Sequence, residues 1–171
     1  FYFHTDLNAT CYQVIAIDIR KPQRGNWRVI VPEVPKVLLE SVSTVGGKMF
    51  CQYLRDAKTE VKCFDMEGKL IREVKLPSIG SAGGFGGHRT DKSTFYTFTS
   101  FTEPGAIYGM DLESGESTLW RRPQVKFDGE AFETKQVFVT SKDGTKVPMF
   151  IVHKKGLKLD GSNPALLYGY G

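Results

Sequence analysis

No apolar run in this chain approaches the roughly 18 residues of a membrane-spanning helix, and no charged-then-apolar leader opens it. Like charges never cluster into a tail of the kind that binds nucleic acid or membrane, although the net charge is +4. The densest basic group, Arg20, Lys21, Arg24 and Arg28, is interrupted by neutral residues and reads as a solvated face. Cysteine is scarce. Cys11, Cys51 and Cys63 form no CxxC pair, so neither a disulfide framework nor a zinc ribbon is indicated. With a turn at residues 56–59, Cys51 and Cys63 would face one another; buried free thiols are the expected state. Asn8-Ala9-Thr10 has the form of a glycosylation sequon and, without an export signal, carries little weight.

Local catalytic motifs are missing too. No GxSxG nucleophile elbow occurs, and no HExxH spacing. His4, His88 and His153 are far apart in sequence and read as residues on strands or at strand ends. The glycine-rich stretch from Gly80 to Gly87 fits neither phosphate-loop pattern and reads as an inner strand where space is tight. No cofactor and no metal are expected.

What the chain does have is a repeat. Asp18, Asp65 and Asp111 each stand between apolar residues and are followed by a turn and an apolar-basic segment that closes on proline. They lie 47 and 46 positions apart, and an aromatic stands fifteen residues before each one: Phe3, Phe50 and Tyr96. Nine residues after them come Trp27, Val74 and Trp120. A period in the forties with several short strands per unit is the mark of a β-propeller blade. The middle unit divides into four strands over residues 37–45, 48–55, 60–66 and 69–76. The recurring aspartates are expected to shape the outer hairpins and not to act as paired catalytic carboxylates.

Blade-length units therefore cover residues 1–32, 37–77 and 83–123. The first lacks its opening strand, which leaves about two and three-quarter four-stranded blades. So few blades cannot close a ring, so the chain is expected to be a fragment or to assemble with further blades. After Pro123 the period stops. A hairpin is expected over residues 133–153 around Asp143-Gly144, then a polar excursion, then a buried strand from Pro164 through Leu167 into Tyr168-Gly169-Tyr170-Gly171. A hairpin followed by a continuous apolar strand suits the opening of a mixed sheet. Tyr170 has two readings at this point: a core aromatic, or a neutral phenol placed to donate a hydrogen bond to an oxyanion.

FETKQVFVTSKDGTKVPMFIVHKKG (132–156) and PALLYGYG (164–171), together with YQVIAIDIRKP and VKCFDMEGKLIREVKLP upstream, resemble the prolyl oligopeptidase family along the whole chain. The resemblance implies a mostly β chain: part of a β-propeller over residues 1–123, then the first strands of an α/β-hydrolase catalytic domain over 124–171. It implies a cytosolic serine peptidase, a monomer when complete, that cuts short proline-containing peptides after proline, with neither nucleic acid nor membrane as partner. The remainder of the same polypeptide would supply the other blades and the Ser-Asp-His triad, so this stretch alone would be inactive. Tyr170 matches the family's oxyanion-hole donor, and Tyr168 a packing residue. Two alternatives remain open: an oligopeptidase B-like enzyme preferring basic residues, and a non-catalytic propeller used for binding.

Overall fold

A computed structural model of the chain describes residues 1–169. Thirteen strands follow one another, and each of the four sheets is antiparallel with neighbours in sequence order. The first sheet has three strands: β1 (Tyr2–Thr5), β2 (Gln13–Ala16) and β3 (Arg28–Val31). The second has four: β4 (Leu38–Val45), β5 (Lys48–Arg55), β6 (Lys58–Asp65) and β7 (Leu70–Val74). The third also has four: β8 (Ser81–Gly84), β9 (Ser93–Thr99), β10 (Ala106–Asp111) and β11 (Ser117–Arg121). The last is the hairpin β12 (Phe132–Thr140) and β13 (Lys146–Lys154). The first three sheets are the expected blades, with the opening strand of the first one missing as the repeat implies.

Alternation along the strands decides which side chains meet. On β9 every second residue is buried, so Thr94, Tyr96 and Phe98 point one way while Phe95 and Thr97 point the other. The middle blade is apolar on both faces. Phe50, Val61, Cys63 and Val74 join Phe85, Tyr96, Phe98, Met110 and Leu112 of the third blade in one core. Leu39, Met49, Cys51, Tyr53 and Phe64 join Val14, Ile30 and Val31 of the first blade in another. A bulge at Glu40, where Leu39 pairs with Tyr53 and Ser41 with Gln52, lets one strand serve both cores. The extra residue switches the alternation, so Leu39 enters one core and Val45 the other.

The recurring aspartates do what the repeat suggests. Asp65 accepts hydrogen bonds from the backbone N–H groups of Glu67 and Lys69, both at 2.9 Å. Asp111 accepts from the N–H groups of Glu113 and Ser114, at 3.0 and 2.7 Å. Asp18 accepts from the Arg20 N–H at 2.9 Å and also pairs with its guanidinium. Each carboxylate replaces a backbone acceptor in the bend between outer strands.

Three expectations need correcting. Cys63 pairs with Phe50, and Cys51 with Lys62, so the two thiols point to opposite faces of the blade. The turn between β5 and β6 is the two-residue Asp56-Ala57, both with positive φ, so Arg55 pairs with Lys58; Cys51 would face Cys63 only if Arg55 paired one residue further on, with Thr59. All three cysteines are free. His88 lies in the loop between β8 and β9, because the chain leaves the sheet after Gly84. The third correction concerns the apolar run at 164–167. It forms no strand, and Leu166 and Leu167 are 93% and 88% exposed. A buried strand needs partners on its edges and cover on both faces, and β12 and β13 pair only with each other among the described residues.

Candidate functional site

Antiparallel order gives the blades two distinct ends. Turns joining second to third strands, among them Asp56-Ala57 and residues 100–105, lie at one end; those joining first to second and third to fourth strands lie at the other. The hairpin β12–β13 docks on the first of these ends. Gln136 donates its side-chain N–H to the Asp56 carbonyl, and the Phe150 ring lies 5.5 Å from that of Phe101.

The connector that delivers the hairpin is fixed to the third blade. Arg122 pairs with Glu103 at 2.7 Å, with Glu103 largely buried. A short 3-10 turn over Gly129–Ala131 is capped by Asp128, whose carboxylate accepts from the Glu130 N–H at 3.1 Å. A Cβ at Gly129 would stand 1.9 Å from the Thr102 carbonyl oxygen, so only glycine permits that approach. The Ala131 carbonyl then accepts from Lys155 N–H at 2.9 Å, closing the base of the hairpin. Sequence reasoning placed the hairpin but missed Gln136, Phe150, Arg122 and Glu103 as its anchors. In sequence Gln136 follows three other polar residues of β12, Glu133, Thr134 and Lys135, so nothing local marked it as an anchor.

The predicted site residues are not gathered into one place. His4 lies on β1, its Nε2 2.8 Å from the Leu39 carbonyl and its ring against Tyr12. His88 is at the opposite end of the blades, where its N–H donates to the Asp91 carboxylate at 2.7 Å. His153 is buried on β13, with Nδ1 donating to the Lys154 carbonyl at 2.8 Å and lying 3.6 Å from Glu133. No group of three or more metal-ligating side chains occurs among the described residues.

Gly80 to Gly87 supplies the innermost strand of its blade, as expected. The Ser43 hydroxyl, from the inner strand of the middle blade, lies 3.1 Å from the carbonyl oxygens of Gly84 and Phe85. Gln52 donates to the Ser41 hydroxyl at 2.6 Å. The inner rim is thus small and polar. Tyr168 is 80% exposed at the end of the chain's excursion from the hairpin. Tyr170, the expected oxyanion donor, lies outside the described residues.

Comparison with known proteins places this arrangement. Residues 1–123 match the family model described as "Prolyl oligopeptidase, N-terminal beta-propeller domain". Over 170 residues the chain is 43% identical to a prolyl endopeptidase from Elizabethkingia miricola, covering 99% of this chain and 24% of that protein. It is 34% identical to a dual function macrocyclase-peptidase from Galerina marginata, covering 100% of neither: 99% of this chain and 24% of the relative. A solved structure from a study of two prolyl endopeptidases superposes with a TM-score of 0.86 at 46% identity, covering all of this chain and 25% of that one. The chain spans about a quarter of the length of the curated relatives it matches. Its repeat, its blades and these likenesses agree: the chain belongs to the prolyl oligopeptidase family of peptidases, and residues 1–123 are β-propeller.

Proposed function

We propose that this chain is part of a serine peptidase that cleaves short peptides after proline. In this reading residues 1–123 limit access by size and residues 124–171 begin an α/β-hydrolase catalytic domain. The observation that carries it is the break at Pro123. There the blade period ends, and the chain lays a hairpin on one end of the blades before running into PALLYGYG. A binding propeller would begin another blade instead.

Tyr170 is the residue in this chain assigned to the chemistry. A tyrosine phenol stays protonated at neutral pH and offers one donor. Aimed at the carbonyl oxygen of the scissile bond, it stabilises the negative charge that develops as the tetrahedral intermediate forms. A backbone N–H near the nucleophile would be the second donor. Ser, Asp and His are assigned to parts of the polypeptide other than residues 1–171. Glycine at positions 169 and 171 brings no side chain that an approaching carbonyl would have to avoid.

The test is Tyr170→Phe in the full-length protein, which removes one hydroxyl and keeps the ring. Loss of one oxyanion donor lowers kcat by about 10²–10³ with little change in KM. An unchanged kcat on a proline-containing peptide removes Tyr170 from the mechanism. Cleavage after arginine or lysine instead of proline moves the reading to an oligopeptidase B-like enzyme.

A further inference from the structure

The two seams between the three blades are tied at both ends, and the second also along the inner rim, where Ser43 meets Gly84 and Phe85. Between the first and middle blades, Leu39 N–H donates to the Cys11 carbonyl at 2.9 Å at the hairpin end. At the far end the Tyr2 hydroxyl donates to the Met66 carbonyl at 2.9 Å. There the outer turn of the middle blade also sits directly on its neighbour's backbone. Gly68 has φ +87°, and a Cβ there would stand 2.0 Å from the Ile30 carbonyl oxygen.

The second seam repeats the plan with different residues. Thr59 N–H donates to the Gly80 carbonyl, and Gly46 N–H to the His88 carbonyl, both at 3.0 Å. A Cβ on Gly46 would fall 2.4 Å from Leu112 Cδ1 and 2.7 Å from the Asp91 carbonyl oxygen. At the outer turn Arg72 donates to the Glu113 carbonyl at 2.7 Å and lies across the turn at Gly115. Between these ties, the rings of Phe50, Phe85 and Tyr96 stack at 5.3 and 4.5 Å.

We infer that residues 1–123 move as one rigid sector whose two seams do not part, so no peptide passes between these blades. Within each seam the hydrogen bonds at both ends would have to break together, and in the second seam the aromatic stack would have to part with them. The consequence for substrate rests on the peptidase reading, and it deepens that reading by excluding one route. Peptides must reach the chamber elsewhere than through these seams.

Hydrogen exchange on the full-length protein tests this without measuring turnover. The seam-crossing amides of Leu39, Gly46 and Thr59 are compared with amides paired inside the β5–β6 ladder. If the sector is rigid, the two sets exchange within about tenfold of one another, since both open only with the blades. Gly68→Ala serves as the wedge: it speeds exchange at Leu39 and leaves Thr59 unchanged. Seam amides exchanging about 100-fold faster than ladder amides in the unaltered protein would overturn the inference, as would no effect of Gly68→Ala on Leu39. Failure of the peptidase reading appears separately, as absent cleavage of a proline-containing peptide.

Discussion

The blades and the segment that follows them are built from similar strands but bury them very differently. In residues 1–123 two continuous apolar cores cover both faces of the middle blade. In residues 124–169 His153 is the single buried residue, and Phe138, Val139, Val147 and Val152 stay open on a two-stranded hairpin. The strands of the hairpin pair over nine positions, as regularly as any in the blades. Regular pairing therefore does not make a core. Sheets become buried when another layer covers them, and among the described residues only the middle blade has a layer on each side.

Magnitudes show which contacts maintain the difference. The rim pair between Arg28 and Glu67 is more than half exposed on both sides, and such pairs contribute about 0–1 kcal/mol. Phe50 is fully buried and stacked against Phe85. Phe50→Ala in the full-length protein is expected to lower unfolding stability by about 3–5 kcal/mol, read from chemical denaturation. A loss below about 1 kcal/mol would show that the shared core is not what joins these blades.

Leu167 tests the other half of the contrast. It is exposed here, yet under the proposed function it belongs to a buried strand of the catalytic sheet. Leu167→Ala in the full-length protein then costs about 2–5 kcal/mol. A change within about 0.5 kcal/mol would mean that the run stays uncovered and that the hydrolase reading of 164–171 is wrong.

The smallest effect is electrostatic. Burial pushes the Cys51 thiol from its ordinary 9.0 up to about 12 and raises the Tyr53 phenol beside it. Both groups hold their protons more tightly folded than unfolded. The stability they confer is therefore complete below about pH 9 and falls as pH rises toward 12. Denaturation midpoints measured at pH 7 and about pH 10 should show this decline, and Cys51→Ala should make it shallower. An identical decline in that variant assigns the effect to other groups.

How far the sequence disclosed all this depended on whether a feature was local. The blades were legible because alternation and the Asp18, Asp65 and Asp111 bends repeat, and each bend is satisfied by its own nearest neighbours. The hairpin was legible from Asp143-Gly144 for the same reason. The register of β5 on β6 was not, because Ala57 at φ +62° gives no glycine or asparagine signal of a tight turn. Nor could Ala165, Leu166 and Leu167 disclose that they lie open. An apolar run states what it would bury against but not whether that surface is present. The docking of the hairpin rests on Gln136 and Phe150, which meet residues far away in sequence.

The one-residue offset between Cys51 and Cys63 has a chemical consequence of its own. With a sheet between them, the two sulfurs cannot be joined by an oxidant unless the strands first slip by a full residue. Such a slip would turn every side chain of one strand inside out. The middle blade therefore holds two thiols close in space without the means to link them to each other.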